Sequence, residues 1–411
     1  MEYSYELQQF SSSCAIIHSL GIVGNYTCLV ILALPIAMVT KSHFQVIIIF
    51  LLSSLYNITC SSDTQPEAEF DKWVSWNVKN YYYEKKTIFE GKWKVGAAGP
   101  DLKLKQAESN KVTITVSQDG SGDFKTISEA LNSIPLRNTR RVIVSIAPGV
   151  YREKIMIPRT LPFITLLGDA RDPPSITGND TASASGRNGI PLGTFQSATV
   201  AVDATYFVAI NIKFENTAPH VIGYRGEQGV ALRISGTKAG FYNCSFYGAQ
   251  DTLYDHKGLH YFYNCSIQGS VDFIFGYGRS LYENCYLNST SKKVASITAQ
   301  KRTNSSLESG FSFKNCTVTG SGQVYLGRAW GDYSRVIFSY TYMDKIVLPK
   351  GWSDWGDQKR DSRVYYGEYK CSGPGANLAG RVPWARVLTD QEANPFIGIQ
   401  FVEGDTWLVS P

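Results

Sequence analysis

From Val112 onward, apolar and polar residues alternate in short runs, each bounded by Gly, Asn or Asp. Val112-Thr113-Ile114-Thr115-Val116 has the period of two that marks a half-buried strand, and Asp119-Gly120-Ser121-Gly122 then turns the chain. Over Thr126–Ile134 the period lengthens: Ile127, Ala130, Leu131 and Ile134 share one face of a short amphipathic helix. Further short strands are predicted over Arg141–Ala147, Ile164–Leu167, Ala198–Val202, Phe207–Phe214, Val230–Ile234 and Gly240–Phe246. From about Met343 the pattern weakens, and the tail reads as loops and a terminal segment packed on the wall of the preceding strands.

One unit is written twice. Asn243-Cys244-Ser245 leads to Gly248 and Asp251, and Asn264-Cys265-Ser266 leads to Gly269 and Asp272, 21 residues later. Aromatic-x-Asn units recur at Asn216, Asn243, Asn264, Asn284 and Asn315. A period near 20 with short strands predicts a solenoid of parallel β coils, with the helix capping its first open edge. Asn suits the bend between faces, since it tolerates left-handed backbone and bonds neighbouring peptide groups. One repeat is one coil, so Asp251 and Asp272 should lie on adjacent rungs, about 4.8 Å apart. Two carboxylates that close do not both ionise cheaply, which is how one site supplies an acid and a nucleophile or base.

Three more residues fall on the same wall of such a solenoid. Gln250 precedes Asp251, Gln228 lies about one coil earlier, and Arg328 lies some coils later. Gln amides are neutral donors suited to the oxyanion formed when a carboxylate attacks an ester carbonyl. Arg328 is placed to keep one Asp ionised and to lower its pKa. The residues alone leave two readings, a catalytic pair or two turn aspartates. The pair does not continue as a ladder, because the spacing after Cys285 puts Lys292 in the next position. The five His have no metal spacing, and His256 reads as solvated. No nucleophile-elbow Ser, zinc or P-loop motif is present.

Residues 1–60 read as targeting sequence, with Met38 as the working start, Lys41 as its charged flank, Val46–Leu55 as the apolar centre and 1–37 as an upstream extension. The competing reading is a membrane anchor through residues 28–56. Residues 61–110 read as an irregular, aromatic-rich arm, and 111–411 as the catalytic domain.

Composition adds little that contradicts this. The chain has 411 residues, 43% of them hydrophobic, enough for a large core, and its 25 Tyr and 20 Phe favour β structure. A net charge of +5 suits a polyanionic partner, but there is no basic block of the kind nucleic-acid tails carry. The eight Cys have no C-x-x-C spacing, and the four that follow Asn are expected as a stack of buried thiols. Sequons at Asn25, Asn57, Asn179, Asn243, Asn264, Asn288, Asn304 and Asn315 point to the secretory route. Those at Asn243, Asn264 and Asn315 are expected to be structural and inaccessible.

At these residues the chain resembles the plant pectinesterases (pectin methylesterases). The matching stretches are Asp119–Gly122, Gly149–Glu153, Gln228–Leu232, Gly248–Leu253, Asp272–Gly276, Leu326–Trp330, Gly351-Trp352 and Tyr366–Tyr369, within about 112–410. The resemblance implies an all-β, right-handed parallel β-helix of the pectin-lyase-like kind that removes methyl esters from pectin in the cell wall, with no cofactor and no metal. It implies Asp272 as nucleophile and Asp251 as proton donor and later base. Gln228 and Gln250 would stabilise the transition state, Arg328 would orient Asp272, and Thr194, Gln228, Arg328 and Trp330 would bind substrate. Gly229 and Ala329 stand where the family usually has Ala and Pro. The short stretch before the catalytic domain matches the class without an inhibitor-like pro-domain. The resemblance further implies a secreted monomer, with pectin and a proteinaceous inhibitor as partners. Two competing readings are another pectin-degrading β-helix enzyme, a lyase or polygalacturonase, and a non-catalytic wall-binding solenoid.

Overall fold

The computed structural model describes residues 101–219 and 225–409. Residues 1–60, read above as targeting sequence or as a membrane anchor, and residues 61–100 of the expected arm lie outside them. The described end of the arm is not irregular, as expected from its composition, but a helix over Leu102–Ser109. Asp101 caps it, and Leu104 and Ala107, three apart, are buried against the wall. Among the described residues no helix is long and apolar enough to cross a membrane.

The helix expected over 126–134 spans Ile127–Asn132, with Thr126 and Glu129 forming a reciprocal capping box. Two of its first free N–H groups donate to the Glu153 carboxylate, Ile127 at 2.9 Å and Ser128 at 2.8 Å. That fastens the helix to the first coil with negative charge at its positive end.

All the pairings between named strands are parallel, and the complete coils pass through three faces in turn, which makes a right-handed parallel β-helix. Face 1 runs from Val112–Val116 through Val142–Ile146, Ala239–Tyr242 and Leu259–Tyr263 to Tyr365–Tyr369 and Arg386–Val387. Face 2 includes Lys213–Asn216, Ser245–Tyr247 and Ser266–Gly269; face 3 includes Val200–Val202, Leu232–Ile234, Leu253–Asp255 and Ile274–Gly276. Two long strands, Tyr286–Gln300 and Thr317–Ala329, run through faces 2 and 3 without a corner and join them into one sheet. The solenoid continues past Met343 through Trp352–Ser353 and Tyr365–Tyr369, so the tail is not only loops. Its aromatic and glycine-rich sequence hid strands of two to five residues.

Stretches read as single strands across 207–214 and 240–246 are each two strands bent at an Asn in the left-handed region, Asn211 at φ 56° and Asn243 at φ 52°. Asn264, Asn284 and Asn315 repeat that bend, and Tyr340 and Lys370 continue it. Asn216 does not belong to this file, because Asn211 is the residue in register; Asn216 lies at the far end of its face 2 strand. The Asn264 amide nitrogen donates to Asn243 Oδ1 at 2.7 Å, which occupies the atom a glycan would need. Asn315 departs from the expected inaccessibility and is exposed; the next corner is Tyr340, which offers no amide to cover it. Cys244, Cys265, Cys285 and Cys316 are buried free thiols directly after these corners, and Cys371 extends the row.

Inside face 1, Phe241, Phe262, Tyr282, Phe313 and Phe338 occupy one register position. Their rings stack nearly parallel, with centroids 4.5–4.7 Å apart between neighbours. Rung spacing and ring stacking distance coincide, so flat side chains fill the interior without voids. Phe262→Ala, which opens a gap in mid-stack, is expected to destabilise the protein by about 3–5 kcal/mol. The shift in urea midpoint measures it, and a loss below about 1 kcal/mol would show that the stack does not carry the core.

Candidate active site

Asp251 and Asp272 each occupy the corner between faces 2 and 3, in the left-handed region at φ 64° and φ 48°. Asp tolerates this conformation better than most side chains. The strands that follow pair in register, Leu253 with Ile274 and Tyr254 with Phe275. Asp251 N–H donates to Val271 O at 3.1 Å, and Asp272 N–H donates to Ser296 O at 2.7 Å. The two aspartates are therefore neighbours in one file, one rung or about 4.8 Å apart at the backbone. The next residue in that file is Ser296, not Lys292. Strand Tyr286–Gln300 shifts register between Thr290 and Val294 as it passes the corner, so counting from Cys285 falls short. Both carboxylates are buried, Asp251 at 9% and Asp272 at 4% exposure.

Arg328 reaches Asp272 from two rungs further on. Its Nε donates to Oδ1 at 2.8 Å and to Oδ2 at 3.0 Å, and its Nη2 also donates to Oδ2. The guanidinium lies 3.7 Å from the centroid of the Trp355 ring, which fixes its plane. On the other side, the Gln250 amide lies beside the Asp251 carboxyl and acts to lower its pKa. The preceding coil is tied in by Gly229 N–H, which donates to Gln250 O at 3.3 Å. Gln228 Nε2 donates to Thr194 Oγ1 at 3.0 Å, and Thr194 lies in the short helix Gly193–Gln196. Trp330 follows Arg328 by two residues and meets Phe275 at 6.1 Å between centroids. The structure thus collects all seven residues singled out in the sequence on one wall.

The electrostatics of the pair are unequal. Burial pushes the Asp251 carboxyl well above the ordinary range, and the neighbouring Asp272 charge pushes it further. Asp272 is also raised by burial, with the Arg328 hydrogen bonds and charge pulling the other way. Arg328 therefore limits the rise at Asp272 instead of lowering its pKa outright, because desolvation of a nearly buried carboxylate is the larger effect. A proton entering the pair belongs on Asp251. His256 is not solvated as expected. Its Nδ1 pairs with the Ser235 hydroxyl at 2.8 Å and its Nε2 with the Tyr277 hydroxyl at 2.9 Å. Burial and the Arg233 charge push its pKa down to about 4. Among the described residues no group of three His, Cys, Asp or Glu side chains is arranged to hold a metal ion.

The apolar lining escaped the sequence reading. Tyr254 and Phe275 stack at 4.3 Å beside the pair, Phe195 meets Tyr254 edge-on, and Trp355 covers Arg328. A signal for two of them existed: each stands three residues after one of the paired aspartates, on an outward position of its strand. Phe195 arrives on the four-residue helix Gly193–Gln196 and Trp355 on a loop, both too short or irregular for a period to apply.

A wall of paired carboxylates, amide donors, one arginine and aromatic rings agrees with what the chain is similar to. The pectinesterase family model matches residues 113–405. Pectinesterase QRT1 of Arabidopsis thaliana is 46% identical over 298 residues, covering 72% of this chain and 78% of that protein. Probable pectinesterase 50 of the same plant is 40% identical over 370 residues, covering 89% and 97%. The solved structure of pectin methylesterase from carrot superposes with a TM-score of 0.67 at 34% identity, covering 72% of this chain and 94% of that one. With the family model spanning the whole solenoid and relatives this similar, the chain belongs to the pectinesterases, the carboxylic ester hydrolases that remove methyl groups from pectin in the plant cell wall.

Proposed function

We propose that this hydrolysis runs through Asp272 as nucleophile, with Asp251 as the proton donor. The observation that carries the reading is the two-pronged Arg328–Asp272 pair one rung from a second carboxyl whose charge is suppressed. The ionised Asp272 oxygen attacks the methyl-ester carbonyl carbon of a galacturonate unit. Negative charge moves to the carbonyl oxygen, where the Gln228 and Gln250 amides donate to it. The bond to the methoxy oxygen breaks, and that oxygen takes the Asp251 proton and leaves as methanol. Asp251, now a carboxylate, removes a proton from water as it adds to the acyl carbon. The anhydride bond breaks, which returns Asp272 as carboxylate and frees the galacturonate acid. Thr194 positions the Gln228 amide, and Trp330 stacks on a sugar ring. An apoplastic location is supported by where the family's substrate lies and by the apolar centre Val46–Leu55.

Asp272→Asn is expected to abolish methanol release from methylated pectin while circular dichroism and melting temperature stay near wild type. Measurable turnover by that variant would refute the assignment. Gln228→Ala is expected to lower kcat by about 10²-fold with a smaller change in KM.

The raised Asp251 pKa also fixes a pH dependence. The folded value exceeds the unfolded one, so the group stabilises the protein at low pH and the contribution is lost as pH rises through the folded pKa. Asp251→Asn never carries the charge. Its melting temperature relative to wild type is therefore expected to climb as pH rises from the ordinary carboxylate range through neutrality. A difference that stays flat across that range would contradict a suppressed charge at Asp251.

A further inference from the structure

The ring that flattens Arg328 comes from the next rung. Strand Trp352–Ser353 pairs with Gly327 and Arg328, and Trp355 stands two residues beyond it. Trp355 takes left-handed backbone, at φ 61°, which an aromatic residue adopts only where its surroundings hold it. The side chain is still 40% exposed, so packing from outside does not supply the hold. Two local bonds shape the turn: Trp355 N–H donates to Ser353 Oγ at 3.2 Å, and Gly356 N–H donates to Asp354 Oδ1 at 2.9 Å. Both lie within the loop, and neither fixes it relative to Arg328.

A second arginine makes that connection. Arg360 ends the single turn Gln358–Arg360 that follows the loop, and its side chain is half-buried. Its Nη1 donates to Ala329 O at 2.8 Å and to Asp354 O at 3.3 Å. One nitrogen thus joins the residue after Arg328 to the residue before Trp355. The fork is aimed by its other end, where Nε donates to Asp332 Oδ1 at 3.0 Å, with Asp357 at 3.9 Å. Arg363 lies 3.5 Å from the other Asp332 oxygen and holds that carboxylate in turn. An arginine kept for a surface ion pair would meet carboxylates alone, whereas this one gives Nη1 to two backbone carbonyls on neighbouring rungs.

We infer that Arg360 is a positioning residue for the esterase reaction: its bridge between Ala329 O and Asp354 O holds Trp355 over Arg328, and so holds Arg328 in its two-pronged geometry on Asp272. Its side-chain bonds go to Ala329, Asp332, Asp354 and Asp357, not to either aspartate of the reacting corner, so it acts through Trp355 and Arg328. The charged groups that face Asp272 are Arg328 and Asp251. Tyr366 is within electrostatic reach of both Asp272 and Arg360, and burial pushes its hydroxyl up and keeps it neutral. Arg328 opposes the rise that burial imposes on Asp272, so an Arg328 left loose makes Asp272 harder to ionise. The inference rests on the reading of Asp272 as the nucleophile, which must be ionised to attack.

The test compares wild type, Arg360→Met, Trp355→Phe and the double variant on methylated pectin. Arg360→Met is expected to lower kcat about tenfold while KM stays within about twofold. The acid limb of its kcat/KM profile is expected to move up by about half a pH unit, the scale of one exposed cation–π contact. Because Arg360 acts through Trp355, the double variant is expected to lie within about twofold of Arg360→Met. Arg360→Lys keeps a charge beside Asp332 but presents no fork to the two carbonyls. It is expected to behave as Arg360→Met does, and it carries the comparison if Arg360→Met fails to fold. A lower melting temperature with kcat and the acid limb unchanged marks a merely structural tie and overturns the inference. Full activity in Arg360→Lys, or effects that simply multiply in the double variant, overturns it as well. A readout without turnover is the fluorine NMR signal of Trp355 in fluorotryptophan-labelled protein, assigned by its loss in Trp355→Phe. That signal is expected to shift or broaden in Arg360→Met, and an unchanged signal overturns the inference whichever carboxylate attacks. Turnover by Asp272→Asn would remove the nucleophile reading and leave the fluorine result standing, so the two fail separately.

Discussion

Parallel pairing of one coil on the next, in fixed register, is the constraint from which the rest follows. It places every side chain of a given position in single file, one rung apart. In the interior that geometry favours flat rings, and the row from Phe241 to Phe338 exploits it. At the corner between faces 1 and 2 it favours a residue that accepts left-handed backbone and bonds its copy on the next coil, and Asn243 and Asn264 do both. At the corner between faces 2 and 3 the same rule forces Asp251 against Asp272, a contact between like charges that no folding requirement favours.

Such a contact survives only because it is balanced unequally. Removing two carboxylates from water costs several kcal/mol for each that stays ionised. One guanidinium, flattened against Trp355, meets one of them with two-pronged hydrogen bonds, while the other receives a neutral amide from Gln250. The inexpensive state of the site therefore holds a single negative charge on Asp272 and a proton on Asp251. That is also the state from which the proposed attack by Asp272 and protonation by Asp251 would begin, so the resting electrostatics and the proposed chemistry call for the same arrangement. Little reorganisation is left for the moment of reaction.

What the sequence revealed and what it hid divide along the same line. The repeat Asn-Cys-Ser-x-x-Gly-x-x-Asp is local and periodic, and it gave the coil, the stacking of the two aspartates and the row of buried thiols. Register was lost where the chain stops turning. Strand Tyr286–Gln300 passes the corner without a bend, so Ser296 and not Lys292 follows Asp272, and no residue type in that stretch marks the shift. Asn216 misled for the opposite reason: the aromatic-x-Asn signal is present, but it falls at the end of a face 2 strand instead of at its entry. The direction of the Asp272 shift was also hidden, because the attraction of Arg328 is legible in the sequence and the depth of burial is not.

The position of Asn216 shows why the cleft lies where it does. From Asn211 on, the corner between faces 1 and 2 takes only two residues, and insertion there would break the file of stacked corners. At the next corner the stacked file begins only with Asp251, and the two coils before it admit long excursions, 179–199 and 217–231, which carry Thr194 and Phe195 on one and Gln228 on the other. Long loops need fastening if they are to position catalytic groups. Asn216, 4% exposed, supplies it: its amide donates to Asp180 O at 2.9 Å in one loop and to Val230 O at 3.2 Å at the end of the other. Lys154 adds an ion pair to Asp180 and a bond to Gln196 O at 2.7 Å. Gly229 stands where the family usually has Ala, and a Cβ there would lie within 2.8–2.9 Å of the Asn216 carboxamide. The glycine beside Gln228 thus admits a close contact, and the fastening residue sits directly against the backbone it holds.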